Sequence, residues 1–288
     1  MPLSPAPSYG TSMLPPGTFE GKVIAITGGG TGLGKAMGLE FARLGGKIAI
    51  LSRSEEHRAT GIAAISAEGG TVAGFAIDVR DGDAVTQTFD AIEAELGPVS
   101  VLINNAAGNF ACPAEDLSVN AWRTVVDIVL NGTFNCSREF ARRRMTMGEG
   151  GAILNIGASY AWTGGAGASP SASAKAGVTN LSRSLAVEWA TSDIRVNTLV
   201  PGTFPHDDTA EALRRHLTGN RAAKASPAMR VGQTHELGWA ATYLCSPYAA
   251  FVTGLTFIID GGRWLRPGLA APEFVPVREQ LGAGPFVG

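Results

Sequence analysis

The chain has 288 residues, of which 45% are hydrophobic and 17% charged, and its formal net charge is −2. This length and apolar content are enough to bury the core of one large α/β domain. The near-neutral charge, with no basic run, argues against nucleic acid or an anionic membrane as the main partner. No apolar run reaches the roughly 20 residues that span a bilayer. The three cysteines are too widely spaced for a disulfide framework or a zinc site, so no metal is expected.

The two ends of the chain differ from its middle. Residues 1–18 are rich in proline, serine and glycine and lack the apolar core of a signal peptide, so they are predicted to form a flexible N-terminal arm. Residues 19–266 contain no repeat or break in composition and are predicted to form one domain. Within it, residues 203–230 are predicted to form a flap over the site. Residues 267–288 are predicted to form a C-terminal tail.

Short apolar runs alternate with helical patterns from residue 22 onwards. Strands are predicted at 22–27, 47–51, 71–76, 100–104, 152–156, 195–200 and 256–259. Helices are predicted at 33–44, 55–68, 83–96, 121–147, 172–190 and 235–245. Near-continuous apolar strands alternating with helices are typical of parallel strands covered on both faces. The sequence therefore predicts an α/β fold, a single-domain Rossmann-like doubly wound parallel sheet with helices on both faces.

The first predicted strand leads directly into a glycine-rich turn and then a helix. Its sequence is Thr-Gly-Gly-Gly-Thr-Gly-Leu-Gly over residues 27–34. Such a turn brings backbone N–H groups and a positive helix end close to a pyrophosphate. A flexible glycine linker is the alternative, but the strand–turn–helix context favours nucleotide binding. The predicted cofactor contacts here are Thr27, Gly28, Gly30, Thr31, Gly32, Leu33 and Gly34.

The second predicted strand ends in Ser52-Arg53 and carries no carboxylate. A carboxylate at this point would bind a ribose 2′-hydroxyl, whereas the planar guanidinium of Arg53 suits a 2′-phosphate. The sequence therefore favours NADPH over NADH. Arg53 as a solvated residue of an enzyme indifferent to the phosphate is the alternative. Asp78 and Val79, after the third strand, are placed where they would contact the adenine, although Asp78 is equally suited to cap a helix.

Motifs along most of the chain resemble the short-chain dehydrogenase/reductase family. They are the glycine-rich turn, Asn-Asn-Ala-Ala-Gly over residues 104–108, Lys175, Pro201-Gly202 and Asp260-Gly261-Gly262. The resemblance implies a Rossmann-like fold, a nicotinamide cofactor and a homo-oligomer, a tetramer by family analogy. It adds Asn105, Ala106, Lys175, Pro201, Gly202 and Phe204 to the expected cofactor contacts.

The usual catalytic set of that family is largely missing. Most members carry Tyr-x-x-x-Lys on one helix, in which the phenol transfers a proton to or from a carbonyl oxygen. Here Ser171 stands at the tyrosine position, four residues before Lys175. Ala158 stands where the family has serine, and Val129 stands where it has asparagine. These departures argue against an ordinary carbonyl reductase or alcohol dehydrogenase.

The departures themselves resemble the 2,4-dienoyl-CoA reductase subgroup. Residues 104–110, 127–133 and 170–175 match its pattern, and in one type of that subgroup the tyrosine comes from the loop after the fifth strand. Tyr160 matches that tyrosine, and Asn109 matches the second hydrogen-bond donor. The resemblance implies that both stabilise the oxygen of a thioester enolate, while Lys175 holds the cofactor ribose and Ser171 bridges Lys175 to the site. It also implies a place in fatty acid β-oxidation, reducing 2,4-dienoyl-CoA to 3-enoyl-CoA.

Simpler roles remain open for these residues. Tyr160 can be a loop aromatic, Asn109 a turn cap and Ser171 a plain helix-start residue, while Asn131 is offset from the family's asparagine and is expected to satisfy backbone groups. Substrate contacts are expected at Arg80, Phe110 and Ser118, which match CoA-side and acyl-side positions. Arg80 is also consistent with a surface charge, and Arg214, Arg215 and Arg221 of the flap with a solvated basic face.

Three functions remain open on sequence alone. They are an NADPH-dependent dienoyl-CoA reductase, a related reductase of trans-2-enoyl-CoA or a carbonyl compound, and a cofactor-binding scaffold without turnover. The chain ends in Phe286-Val287-Gly288 and not in the peroxisomal Ser-Lys-Leu signal, so a cytoplasmic location is expected.

Overall fold

Within the residues that the structure describes, seven parallel strands form one sheet in the order β3-β2-β1-β4-β5-β6-β7. The structure is a computed structural model that describes residues 2–208, 223–224, 226–266 and 276–281. The strands are β1 Val23–Thr27, β2 Lys47–Leu51, β3 Val72–Phe75, β4 Val99–Asn104, β5 Gly151–Ile156, β6 Ile194–Pro201 and β7 Thr256–Ile259. The predicted doubly wound parallel sheet is confirmed.

The strand order reverses between β1 and β4. The chain first builds outwards from β1 to β2 and β3, and then crosses to the other side of β1 to add β4. In β1 all five residues are buried, with Ile24 paired to Ile48 of β2 and to Val101 of β4. A parallel sheet opens a crevice at the carboxyl ends of its strands where the order reverses. The fold therefore places a ligand crevice at the ends of β1 and β4.

Helices cover both faces of this sheet. They are α1 Gly32–Arg43, α2 Glu55–Ala67, α3 Gly82–Glu95, α4 Val119–Val126, α5 Gly132–Met147, α6 Tyr160–Thr163, α7 Ser169–Trp189, α8 Thr234–Cys245 and α9 Val277–Leu281. Local capping fixes several starts, since Ser54 accepts the His57 N–H before α2 and Asp81 accepts two N–H groups before α3. Two apolar cores result, one on each face of the sheet.

The long helix predicted over 121–147 is interrupted. One π-helical turn, Asp127–Asn131, separates α4 from α5, and the Asn131 side-chain amide donates to the Asp127 carboxylate at 2.7 Å. The wider turn adds a residue to the helix, which an apolar period does not reveal. Asn131 thus bonds a carboxylate of its own turn and not the backbone groups that the sequence predicted, and Ile128 of the same turn lines the crevice.

A buried chain of polar side chains lies behind the crevice. The Asn104 amide donates to Ser137 Oγ at 2.9 Å and to Asn155 Oδ1 at 2.8 Å, and the Asn155 amide donates to Ser182 Oγ at 2.8 Å. These four residues come from β4, β5, α5 and α7 and are all less than 5% exposed. Buried amides are costly unless paired, and these three bonds join the ends of β4 and β5 to α5 and α7.

The N-terminal arm lies across α1 and α8. The Pro7 carbonyl is 3.0 Å from His235 Nε2, and the Thr11 carbonyl accepts the Trp239 indole N–H at 3.1 Å. The ring of Tyr9 lies 4.0 Å beneath the guanidinium carbon of Arg43. These contacts show where the arm lies, whereas its mobility stays a prediction.

Parts of the predicted flap and tail fall outside the described residues. These parts are residues 209–222, 225, 267–275 and 282–288, and they include Arg214, Arg215 and Arg221. In the described part of the tail, Arg278 pairs with Asp116 at 2.7 Å and with Glu115 at 3.1 Å. Among the described residues, no helix is long and apolar enough to cross a membrane, and no cluster of side chains is arranged to hold a metal ion.

Candidate active site

The glycine-rich turn between β1 and α1 packs against backbone on both sides. A Cβ at Gly34 would overlap the Gly28 carbonyl, and one at Gly30 would overlap the His57 carbonyl of α2. Gly28 and Gly32 also have φ angles of +65° and +53°, which favour glycine. The turn therefore presents bare backbone to the crevice, as a pyrophosphate site requires.

Thr27 supports this turn from below. Its hydroxyl oxygen accepts the N–H groups of Asn105 and Ala106, both at 2.9 Å, and is itself only 2% exposed. The Asn105 side-chain amide donates back to the carbonyls of Thr27 and Gly28. These bonds join the ends of β1 and β4 and set the shape of the crevice floor.

A cavity of about 430 Å³ follows the carboxyl ends of the strands. Its walls combine the glycine-rich turn, the ends of β2, β3 and β4, and the π-helical turn. The lining residues are Gly28, Thr31, Gly32, Leu33, Leu51, Ser52, Arg53, His57, Ile77, Asp78, Val79, Asn105, Ala106, Ala107, Ile128 and His206. The mixed apolar and polar lining suits a dinucleotide.

Charge at the β2 end of the cavity is concentrated on three side chains. The Arg80 guanidinium donates to both oxygens of Asp78, and this hydrogen bond holds the pKa of Asp78 below its usual range. The Arg53 guanidinium is 4.0 Å from the same carboxylate and 63% exposed. Arg53 is therefore open to a further anion, whereas Arg80 is largely engaged with Asp78.

The segment after β6 reaches back to the glycine-rich turn. The Asp208 carboxylate accepts the Gly32 N–H at 2.8 Å and pairs with the Lys35 ammonium at 2.8 Å. Burial alone would raise the pKa of Asp208, but these two donors lower it below its ordinary value. His206 packs against Gly32, its Nδ1 has no partner among the described residues, and burial lowers its pKa. A carboxylate therefore lies at the positive start of α1.

Tyr160, Ser171 and Lys175 meet at the end of β5. The Tyr160 hydroxyl is 3.1 Å from Ser171 Oγ. Ser171 and Lys175 lie one turn apart on α7, and they are 2% and 5% exposed. Lys175 donates to the Ile156 carbonyl, and burial lowers its pKa to about 8. The predicted tyrosine from the strand-end loop is thus in contact with the serine that replaces the family's tyrosine.

The loop that follows β4 carries two predicted site residues. Asn109 is exposed and forms no hydrogen bond to a described residue, so its side chain caps no turn there. Phe110 is 37% exposed. The Cys112 N–H donates to the Gly167 carbonyl at 3.1 Å, which ties this loop to the one between α6 and α7. Ser118, by contrast, caps α4 by accepting the Ala121 N–H at 3.0 Å.

Some expected cofactor contacts do not line the cavity. Phe204 is buried in the core and packs against Gly232, and Gly202 lies against Asp260. Thr27, Gly30 and Gly34 support the turn without reaching the cavity surface. Ser52, His57 and His206 do line it, and sequence patterns did not reveal them, since their place depends on how α2 and the segment after β6 pack on the turn.

Comparisons with known proteins find relatives that match most of this chain. The family model described as Enoyl-(Acyl carrier protein) reductase matches residues 28–263. A probable 2,4-dienoyl-CoA reductase [(2E)-enoyl-CoA-producing] of Bacillus subtilis (strain 168) is 41% identical over 251 residues, covering 86% of this chain and 99% of the relative. The peroxisomal 2,4-dienoyl-CoA reductase [(3E)-enoyl-CoA-producing] of Pongo abelii is 41% identical, covering 87% and 86%.

Solved structures show the same fold. A short chain dehydrogenase from Bacillus anthracis superposes with a TM-score of 0.79 at 40% identity, covering 86% of this chain and 98% of that one. A citronellol catabolism dehydrogenase from Pseudomonas aeruginosa PAO1 gives a TM-score of 0.77 at 34% identity, covering 88% and 99%. The sheet order, the glycine-rich turn and these matches agree, and the chain belongs to the short-chain dehydrogenase/reductase family, whose members are oxidoreductases that use a nicotinamide cofactor.

Proposed function

We propose that this chain is an NADPH-dependent reductase of conjugated acyl-CoA thioesters, reducing 2,4-dienoyl-CoA to 3-enoyl-CoA. The observation that carries the proposal is the contact between the Tyr160 hydroxyl and Ser171 Oγ, one helical turn from buried Lys175. The phenol beside the helix that carries Lys175 therefore comes from α6, after β5, and not from α7 itself. The names of the Bacillus and Pongo relatives support the same reaction class.

When bound, a nicotinamide cofactor would supply the hydride that the far end of the conjugated system accepts. The electron pair then moves through the double bonds to the thioester oxygen, which becomes an enolate oxygen. Tyr160 and Asn109 donate hydrogen bonds to that oxygen, and one such donor is typically worth about 3 kcal/mol of barrier. A proton from water or a side chain at the carbon next to the thioester completes the 3-enoyl product.

Lys175 and Ser171 act on the nucleotide side of this site. Lys175 is expected to bind the ribose hydroxyls of the cofactor, which would supply the polar partners that its ammonium lacks in the buried site. Ser171 lies one helical turn before this lysine and its hydroxyl contacts that of Tyr160, so we expect it to connect the lysine's side of the site to the phenol. Burial lowers the pKa of Lys175 to about 8, so a ribose contact that favours the charged ammonium would couple cofactor binding to proton uptake.

NADPH preference is assigned to the β2 end of the cavity. Arg53 offers an exposed guanidinium there, and Asp78 is already paired with Arg80 and so opposes a 2′-phosphate less strongly than a free carboxylate would. Ser52 and His57 line the same end. Phe110 and Arg80 are proposed to contact the acyl and CoA parts of the substrate.

Exposed apolar side chains at one edge of the sheet bear on how the protein assembles. In the described part of the chain β7 is one of the two edge strands of the sheet, and apolar side chains around it are exposed, including Phe251, Leu255, Phe257 and Leu265. Exposed apolar surface beside an open strand edge favours pairing with another copy, so a homotetramer is proposed. A cytoplasmic location and a role in fatty acid β-oxidation complete the proposal. Light scattering of the purified enzyme and cell fractionation test these points.

The decisive experiment measures NADPH oxidation with 2,4-dienoyl-CoA, trans-2-enoyl-CoA and a panel of ketones. We expect turnover with the dienoyl-CoA and with none of the other substrates. In Tyr160→Phe the rate of this turnover should fall at least tenfold. Turnover only with 2-enoyl-CoA would support the second candidate, which the description of the matching family model favours. NMR of the product locates the double bond, since the Bacillus relative is named for a (2E)-enoyl product. Tight NADPH binding without any turnover would leave a scaffold.

A further inference from the structure

The helix that carries Tyr160 is too short to hold its own shape. α6 has four residues, Tyr160–Thr163, and no side-chain cap at its start. Isolated helices of this length are unstable, because the few hydrogen bonds formed do not offset the conformational entropy lost in ordering the first turn. The position of the Tyr160 hydroxyl must therefore depend on what α6 packs against.

Two faces of α6 make different contacts. Tyr160 and Trp162 are two residues apart, which places them on roughly opposite sides of a helix. Tyr160 points to Ser171 of α7. Trp162 contacts Trp264, with the ring centroids 5.6 Å apart and the planes at 85°. This edge-to-face arrangement is a favourable geometry for two aromatic rings.

Trp264 belongs to a well-anchored turn. It lies in the 3₁₀ turn Arg263–Leu265, which begins four positions after the last residue of β7. The Asp260 carboxylate accepts the N–H groups of Gly262 at 2.9 Å and of Trp264 at 2.7 Å. The Arg263 guanidinium donates to Thr203 Oγ1 at 2.6 Å, which ties the turn to the segment after β6.

From these contacts we infer that Trp264 is a positioning residue for Tyr160. Trp264 packs against Trp162, and this contact holds α6 in one orientation about its axis. In that orientation the Tyr160 phenol faces Ser171 and the proposed position of the thioester oxygen. The inference rests on the proposed function, in which the Tyr160 hydroxyl donates to the thioester oxygen. Trp264 does not line the nucleotide cavity, so its effect is expected on turnover and not on cofactor binding.

A double-mutant cycle with Tyr160 tests the inference. Trp264→Ala is expected to lower kcat about five- to tenfold, while the Kd of NADPH and the KM of the acyl-CoA stay within about twofold. In the Tyr160→Phe background the same substitution should change kcat less than twofold, because the hydroxyl that it positions is already absent. Trp264→Phe keeps an aromatic edge and should restore most of the rate.

Two further measurements separate positioning from general damage. Val187→Ala, which truncates an exposed apolar side chain near the end of α7 (80% exposed), serves as the control and should leave kcat unchanged. The pair of indoles should give an exciton couplet in far-ultraviolet circular dichroism, which either Trp162→Phe or Trp264→Phe removes. The presence of that couplet in the wild type reports the contact in solution without any assay of activity.

The possible failures differ from one another. Equal losses of kcat from Trp264→Ala in both backgrounds would assign Trp264 a general structural role and overturn the inference. A raised KM for acyl-CoA with kcat retained would make Trp264 a wall of the acyl site, which also overturns it. A rate unchanged by Tyr160→Phe alone would instead overturn the proposed role of Tyr160, and the inference with it.

Discussion

Asp208 and Gly32 are 176 residues apart in sequence, yet the Asp208 carboxylate accepts the Gly32 N–H at 2.8 Å. Gly32 is the first residue of α1 and part of the glycine-rich turn. The positive start of a helix that follows such a turn is the place where a dinucleotide presents its pyrophosphate. The protein thus holds one of its own anions at the point where the pyrophosphate of the cofactor is proposed to bind, so the two are expected to compete.

Replacing this carboxylate should tighten cofactor binding. Asp208→Asn keeps the shape of the side chain but removes the charge that pairs with Lys35 and competes for the Gly32 N–H. The Kd of NADPH is expected to fall up to about fivefold, which corresponds to about 1 kcal/mol. Titration of intrinsic fluorescence measures it, with Asp207→Asn as the neighbouring control. Weaker binding in Asp208→Asn would show that the carboxylate assists the cofactor.

Arg53 should discriminate between the two nicotinamide cofactors. Arg53→Gln removes the exposed guanidinium at the end of β2, and a charge-assisted hydrogen bond is worth about 1.5–3 kcal/mol. The kcat/KM for NADPH is expected to fall at least about tenfold, with that for NADH unchanged. Steady-state kinetics with both cofactors measures the ratio, and Arg138→Gln on the exposed side of α5 is the charge control. Equal losses with both cofactors would contradict a 2′-phosphate contact.

Lys175 should make stability depend on pH. Burial lowers its pKa from 10.5 to about 8 in the folded protein. Between these values the unfolded chain keeps a proton that the folded chain has released, so the free energy of unfolding rises with pH across this window. Below about pH 8 both states are protonated, and the folded state bears the full cost of the buried ammonium.

Lys175→Met isolates this effect because methionine does not titrate. The difference in unfolding free energy, wild type minus Lys175→Met, is expected to rise by up to about 3 kcal/mol between about pH 7.5 and 10.5. Urea unfolding at several pH values, without cofactor, gives the difference directly. A difference that stays constant over this range would show that Lys175 has an ordinary pKa in the folded state.

The N-terminal arm should contribute to stability through Tyr9. Its ring lies 4.0 Å from the Arg43 guanidinium, and its hydroxyl donates to Glu68 at 3.3 Å. Tyr9→Ala is expected to cost about 1 kcal/mol of unfolding free energy, whereas Tyr9→Phe keeps the ring and should cost less than half of that. Thermal unfolding compares the variants. No loss in Tyr9→Ala would indicate an arm that is mobile in solution, as the sequence predicts.

Local patterns predict the strands well because a parallel strand covered on both faces must be apolar along nearly its whole length. β2 and β7 begin and end at the predicted residues, and the other strands differ by one or two residues at their ends. The helix over 121–147 was predicted without a break, since the π-helical turn Asp127–Asn131 keeps its apolar residues near the expected face. Its hydrogen-bond pattern depends on what packs around it.

Some residues of the candidate site are recognisable from local sequence patterns, and others are recognisable only from the packed structure. The glycine-rich turn, Arg53 and the replacement of tyrosine by Ser171 are visible in the sequence because each is a local pattern. The contact of Asp208 with Gly32 and that of Trp162 with Trp264 join segments 176 and 102 positions apart. Neither pair has a periodic signal, because each residue alone resembles any polar or aromatic surface residue.

The sequence by itself determined the order of strands and helices, the turn at the start of α1 and the set of side chains available for chemistry, because these depend on neighbours along the chain. Only the tertiary structure decided which of them meet. It places the Tyr160 hydroxyl beside Ser171 and the Asp208 carboxylate beside Gly32 of the glycine-rich turn. It also buries Lys175, which lowers the pKa of its ammonium. The physical reason is that distance and desolvation depend on how the elements pack in three dimensions, and no one-dimensional spacing carries that information.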